Sequence, residues 1–78
     1  MIKRTEKLVI TFHITTDAMA MERLCKERSA GGRIIPVPSS ISADCGLAWC
    51  ADPGSEEMFR QLMKFHGIRF QNIHRCLV

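Results

Sequence analysis

The sequence predicts an α+β domain in which the elements follow the order strand, helix, strand, strand, helix, strand. Short runs rich in β-branched and aromatic residues alternate with two segments in which apolar residues recur at helical spacing. Glycine follows each of the two helical segments, as is typical of helix ends. The chain of 78 residues has the length of one domain, so residues 1–78 are predicted to form a single domain.

The first strand is predicted over Lys7–His13, where Leu, Val, Ile and Phe side chains favour extended backbone. A helix is predicted to follow, with Thr15 or Thr16 as its N-cap and Gly31–Gly32 as its end. Its apolar positions recur every three or four residues and predict the buried face. These positions are Ala18, Met21, Leu24 and Cys25.

The middle of the chain predicts two further strands joined by a polar loop. The second strand covers Arg33–Val37, and Pro36 and Pro38 each lack the N–H group that a central strand needs. This strand is therefore predicted to lie at an edge of the sheet. The polar residues 39–44 are predicted to form the loop, and the apolar run Cys45–Ala51 the third strand.

The second helix is predicted to begin after Asp52, which can act as N-cap, with Pro53 at the first helical position. Gly67 is predicted to end it, and Ile68–Leu77 to form the last strand. The residues expected on its buried face are Met58, Phe59, Leu62 and Phe65.

With right-handed crossovers, this order of elements predicts a four-stranded antiparallel sheet of strand order 4-1-3-2, with both helices on one face. This is the ferredoxin-like arrangement. Because many unrelated activities occur on this fold, the fold alone predicts no function.

Composition excludes several classes of function. The net charge is only +3, and the basic residues are spread along the chain, with Lys3, Arg4 and Lys7 expected on a solvated approach to the first strand. We therefore expect no nucleic-acid partner, because such proteins usually carry a clustered basic face. The apolar runs are too short for a signal peptide or a membrane span. We expect a cytoplasmic protein that binds no membrane.

The four cysteines are predicted to be free thiols. The histidines and cysteines show no Cys-x-x-Cys motif and no other ligand spacing, so we expect neither a metal nor a cofactor. Cys45 and Cys50 lie five residues apart on one predicted strand, roughly 16 Å between Cα atoms, whereas a disulfide needs about 4.4–6.8 Å. The predicted first strand separates Cys50 from Cys76.

Cys45 has the most favourable predicted position for a reactive thiol. The topology places it beside His13, at the end of the sheet where the first helix begins. The unpaired N–H groups of a helix N-terminus favour a thiolate, and Gly46 leaves the backbone beside the sulfur uncrowded. The residues predicted to bind a ligand at this end are Thr15, Thr16 and Ser42. The other cysteines are expected to serve as packing residues.

Several of these features occur together in a known family. Phe12-His13, Thr15-Thr16, the two prolines Pro36 and Pro38, and Cys45-Gly46 follow one another as in the small bacterial domains described as putative Se/S carrier protein-like. The chain resembles this family over Leu8–Arg75. The resemblance implies a carrier role in sulfur or selenium transfer, which would fall on Cys45.

Three hypotheses remain open. In the first, an accessible Cys45 thiolate holds sulfur or selenium as a persulfide or selenenylsulfide. It receives the atom from a cysteine desulfurase or another donor and passes it to an acceptor protein, as a carrier rather than a stand-alone enzyme. In the second, the loop Pro38–Cys45 and the helix N-terminus dock a partner or an anionic ligand, and Cys45 only packs. The third is a regulatory or structural subunit that forms a homodimer through an exposed edge strand.

Overall fold

The computed structural model describes residues 5–78, so the predicted surface positions of Lys3 and Arg4 lie outside the described residues. A short 3-10 turn at Pro53–Ser55 precedes the second helix. The helices and strands are β1 (Glu6–Thr11), α1 (Thr15–Arg28), β2 (Arg33–Pro36), β3 (Leu47–Ala51), α2 (Glu56–His66) and β4 (Asn72–Leu77).

The four strands form one antiparallel sheet in the order β2-β3-β1-β4. This is the predicted order 4-1-3-2 counted from the other edge, so the ferredoxin-like α+β fold is confirmed. Pro36 lies in the edge strand β2, as predicted, and Pro38 lies beyond its end. No helix among residues 5–78 combines the length and apolar character needed to cross a membrane.

The core lies between the two helices and one face of the sheet. Leu8 and Ile10 of β1 and Trp49 of β3 point to this face and belong to the same buried cluster as Phe59 and Met63 of α2. The predicted buried face of α1 is confirmed, since all four of its residues are buried. These are Ala18, Met21, Leu24 and Cys25.

The predicted buried face of α2 is partly wrong. Phe59 is buried as predicted and Leu62 is partly buried against the core, but Met58 is 42% and Phe65 83% exposed. Met63, which was not predicted, is buried instead. Phe59 and Met63, four positions or about one helical turn apart, form the centre of the buried face. Met58 lies at the margin of this face, and Phe65 lies outside it.

Several predicted boundaries are also wrong at the end of the sheet that holds Cys45. β1 ends at Thr11, so His13 lies beyond the strand, and β3 begins at Leu47, so Cys45 precedes it. The backbone still pairs there, since Cys45 N–H donates to Phe12 O at 3.1 Å. The regular strand pairing ends here because the chain leaves both β1 and β3 for loops. The last strand also differs from its predicted start at Ile68, since β4 begins at Asn72.

The caps of α1 differ from the prediction. The N-cap is Ile14, whose side chain cannot cap, and Thr15 and Thr16 are the first residues of the helix. The helix ends at Arg28, because Ser29 takes a left-handed conformation with φ 51°, before Gly31–Gly32 is reached. In α2, by contrast, the left-handed Gly67 ends the helix as predicted.

Glu56, the first residue of α2, binds two arginines. Arg60 Nε donates to its carboxylate at 2.9 Å, and Arg75 of β4 donates at 3.3 Å. The hydrogen bond from Arg60, followed by that from Arg75, holds the pKa of the Glu56 carboxyl below its ordinary value. The contacts therefore connect α2 to the edge strand β4.

This lowered pKa predicts a pH-dependent contribution to stability. A carboxyl whose pKa is depressed by folding stabilises the folded state above its unfolded pKa, about 4.3 for Glu. That stabilisation is lost as the pH falls through the folded pKa. We expect Glu56→Gln to lower the melting temperature at pH 7, and the difference from the unchanged protein to shrink towards pH 3.

Thermal unfolding followed by circular dichroism at both pH values measures this difference. Glu57→Gln is the matched control, because Glu57 accepts a hydrogen bond from the neutral Gln61 side chain. An equal effect of Glu56→Gln at pH 3 and pH 7 would contradict the assignment.

Candidate functional site

Cys45 lies where the loop between β2 and β3 meets the first turn of α1. Leu47 N–H donates to Cys45 Sγ at 3.4 Å, and Thr15 Oγ1 lies 3.5 Å from the same sulfur. Among residues 5–78, no other cysteine sulfur takes part in a hydrogen bond. The predicted approach of Cys45 to the start of α1 is thus present, through the Thr15 side chain.

His13 contacts the residue beside Cys45. Its Nδ1 lies 2.9 Å from Asp44 Oδ2, and both side chains are more than half exposed. Asp44 N–H in turn donates to Gln71 Oε1 at 3.0 Å, and Gln71 N–H donates to Thr11 O at 2.7 Å. We call this chain of contacts, His13–Asp44–Gln71, the loop latch, because it fastens the β2–β3 loop to the ends of β1 and β4.

Sequence reasoning missed Gln71. One signal could have found it: in the predicted topology, the first half of the last strand, which includes Gln71, lies beside the end of the first strand. That argument places the backbone of Gln71 near the loop, but it does not predict the hydrogen bond to Asp44.

The Cys45 side chain is buried, with only 4% of the residue exposed. The carrier hypothesis requires an accessible thiolate. The structure does not show this accessibility, because Cys45 is buried. Sγ lies against the Leu47 N–H group on one side and the Thr15 side chain on another. A reagent or partner enzyme therefore meets little of this residue at the surface.

The remaining predicted site residues lie on the surface. Thr16, Ser42 and Gly46 are exposed. Neither Thr16 nor Ser42 forms a hydrogen bond with Cys45 Sγ. A Cβ atom added to Gly46 would meet nothing within 4 Å, so the surface beside the sulfur is open at this position.

A family model matches most of the chain. The family model described as "Putative Se/S carrier protein-like" matches residues 7–75. The chain belongs to this family. No curated protein and no solved structure matches the chain. The match covers nearly all of the sheet, both helices and the loop that holds Cys45, so the family assignment applies to the domain as a whole.

In a member of the Se/S carrier family, the pKa of each thiol bears on its reactivity, because a thiolate is the nucleophile in sulfur chemistry. Burial raises the pKa of Cys25 to about 11, and burial followed by the neighbouring Cys50 raises the pKa of Cys76. Cys50 lies opposite Val9, on the far side of β1 from Cys76. All four cysteines are free in the structure.

The described part of this Se/S carrier family chain holds no cluster of metal ligands. No group of three or more His, Cys, Asp or Glu side chains in residues 5–78 is arranged to bind a metal ion. Cys45 Sγ accepts from Leu47 N–H and has the Thr15 hydroxyl beside it.

The raised pKa of Cys25 predicts slow alkylation. A thiol with a pKa near 11 rather than 9.0 has about a hundredfold smaller thiolate fraction at pH 8. We expect iodoacetamide to label Cys25 at least about a hundred times more slowly in the folded protein than in urea. Peptide mapping at timed intervals measures both rates, and labelling of folded Cys25 at the rate found in urea would contradict this prediction.

Proposed function

We propose that this protein carries sulfur or selenium on Cys45, as a persulfide or selenenylsulfide. The observation that carries the proposal is the pair of hydrogen-bond partners at Sγ, Leu47 N–H at 3.4 Å and the Thr15 hydroxyl at 3.5 Å. Both groups can donate a hydrogen bond to a sulfur that bears negative charge. Membership of the Se/S carrier family supports the same role.

The transfer needs no external oxidant when the donor is itself a persulfide. Cys45 Sγ, as a thiolate, attacks the terminal sulfur of the donor persulfide and forms a new S–S bond. The donor S–S bond breaks, and its electron pair leaves on the donor cysteine as a thiolate. In the second step, an acceptor thiolate attacks the terminal sulfur on Cys45 and releases the Cys45 thiolate.

The proposed partners follow from this chemistry. The donor is a cysteine desulfurase or another enzyme that bears a persulfide or its selenium equivalent, and the acceptor is a protein with a nucleophilic thiolate. The protein acts as a carrier rather than a stand-alone enzyme, since its partners break the strong bonds. We place the reaction in the reducing cytoplasm, where free thiols persist.

We further propose that the loop latch controls access to Cys45. The His13–Asp44 pair is exposed, and pairs of this kind contribute about 0.2–1 kcal/mol. Removing it is expected to raise the population of open loop and to accelerate alkylation of Cys45 by about 1.4- to 5-fold. His13→Ala and Asp44→Asn should both show this increase.

Timed alkylation with peptide mapping measures the Cys45 rate in each variant. His66→Ala is the matched control, because His66 contacts Arg28 and is not part of the latch. A slower rate in His13→Ala would contradict the latch, and would show that His13 promotes the thiolate instead.

The burial of Cys45 favours a second candidate function. In this case Cys45 only packs, and the loop Pro38–Cys45 with the start of α1 docks a partner or an anionic ligand. The helix has no side-chain cap at Ile14, and Thr15 and Thr16 are exposed beside it. Incubation with a persulfide donor separates the candidates, since only the carrier acquires sulfur. A homodimer formed through edge strand β2 or β4 is compatible with either candidate.

A further inference from the structure

A cavity of about 300 Å³ lies at the end of the sheet opposite Cys45. Its walls come from the second half of α1, from Gly31 and Gly32, and from Trp49 of β3. The residue after the glycines, Arg33, pairs with Cys50 at one end of the β2–β3 ladder, whereas Leu47 near the carrier site is at the other. The cavity is therefore separate from the proposed carrier site.

Trp49 leaves a buried hydrogen-bond donor unused at this cavity. The residue is 3% exposed, and its Nε1 has no hydrogen-bond partner among residues 5–78. Buried tryptophan N–H groups usually find an acceptor, and an unpaired buried donor costs about 1–3 kcal/mol. An acceptor supplied by a ligand would remove this cost.

Gly32 lines the cavity and lies beside the unpaired N–H group. A Cβ atom placed on Gly32 would stand 2.6 Å from Trp49 Nε1, so the indole edge lies against this glycine. Gly31 and Gly32 both have positive φ, 81° and 98°, and glycine moves through this region at little steric cost. Nε1 therefore lies behind Gly32, and a ligand that accepts from it must displace this turn.

The charges around the cavity favour an anionic acceptor. Lys26 and Arg33 are exposed cations at its rim, and Glu22 is the single carboxylate. The end of α1 adds partial negative charge, but two of its carbonyls, those of Cys25 and Lys26, already accept N–H groups from the following residues. The cations therefore dominate the rim.

We propose that this cavity binds a small carboxylate with a short apolar chain. One carboxylate oxygen accepts from Trp49 Nε1, and the charge lies near Lys26 and Arg33. The apolar chain contacts Ile34 and the buried Cys25, which also line the cavity. This site goes beyond the proposed carrier function and does not depend on Cys45.

Tryptophan fluorescence tests the proposal directly, because Trp49 is the only tryptophan in the chain. The full chain is titrated with sodium butyrate, with 2-aminobutyrate and with the neutral butyramide, at constant ionic strength set with sodium chloride. We expect a saturable change with butyrate or 2-aminobutyrate and none with butyramide. Preference for 2-aminobutyrate would show that Glu22 also recognises an ammonium group.

Variants identify the groups that bind. Arg33→Gln is expected to raise the half-saturating butyrate concentration about tenfold, which corresponds to about 1.4 kcal/mol, while Arg69→Gln, an exposed arginine outside the cavity, leaves it unchanged. In Trp49→Phe, saturation-transfer NMR of the butyrate methyl group is expected to show weaker binding. No saturable change, equal binding of butyramide, or unchanged binding in Arg33→Gln and Trp49→Phe would overturn the proposal.

Discussion

Replacing Cys45 with serine is expected to abolish the acquisition of sulfane sulfur from a persulfide donor. Serine keeps the size and a hydrogen-bonding atom, but its hydroxyl cannot form the S–S bond that the transfer requires. Leu47 N–H and the Thr15 hydroxyl would still have a partner, so the loop should remain folded. Cyanolysis of the treated protein, which converts sulfane sulfur to thiocyanate, measures the loss.

The control for this substitution is Cys50→Ser. Cys50 is as buried as Cys45, at 5% against 4% exposed, so both variants place a hydroxyl in a buried position. We expect Cys50→Ser to load as the unchanged protein does. Loading that persists in Cys45→Ser, or that is lost equally in both variants, would contradict the role of Cys45.

Replacing Gly32 with alanine is expected to cause the largest loss of stability among the glycine substitutions. The added Cβ would stand 2.6 Å from Trp49 Nε1 and 2.8 Å from Cys50 O, and φ is +98°. The left-handed backbone costs roughly 1–2 kcal/mol for a residue with a Cβ, and overpacking costs roughly 1–3 kcal/mol more. We expect the free energy of unfolding to fall by about 2–5 kcal/mol.

Gly31→Ala separates the two causes of this loss. Gly31 also has positive φ, but a Cβ there would meet nothing within 4 Å. Its substitution is therefore expected to cost only the backbone contribution, about 1–2 kcal/mol. Urea unfolding of both variants measures the difference, and equal losses would show that contact with Trp49 and Cys50 contributes nothing.

The fold could be predicted because its signals are local. The run of β-branched and apolar residues along β1 and the helical spacing of Ala18 and Met21 depend only on neighbours in the sequence, and Pro36 predicted an edge by its missing N–H. The orientation of α2 was less predictable. Met58 and Phe65 are as apolar as Met63, and only the packing of the assembled core decides which of them is buried.

The site was predictable in its location but not in its details. Strand order alone brings Cys45 to the end of the sheet where α1 begins. The contact between His13 and Asp44 spans 31 positions in the chain, and that between Asp44 and Gln71 spans 27. Such contacts, and the burial of Cys45 that accompanies them, depend on how the β2–β3 loop folds, for which the sequence carries no periodic signal.

Cys45 is proposed to be the residue that carries the sulfur or selenium atom, and intact-mass spectrometry tests this claim most directly. The protein is incubated with a cysteine desulfurase and cysteine, and its mass and thiol-specific peptide map are recorded before and after reduction. We predict one adduct of about 32 Da, the mass of one persulfide sulfur, which maps to Cys45 and disappears on reduction. No adduct, or an adduct that maps to Cys25, Cys50 or Cys76, would contradict the claim.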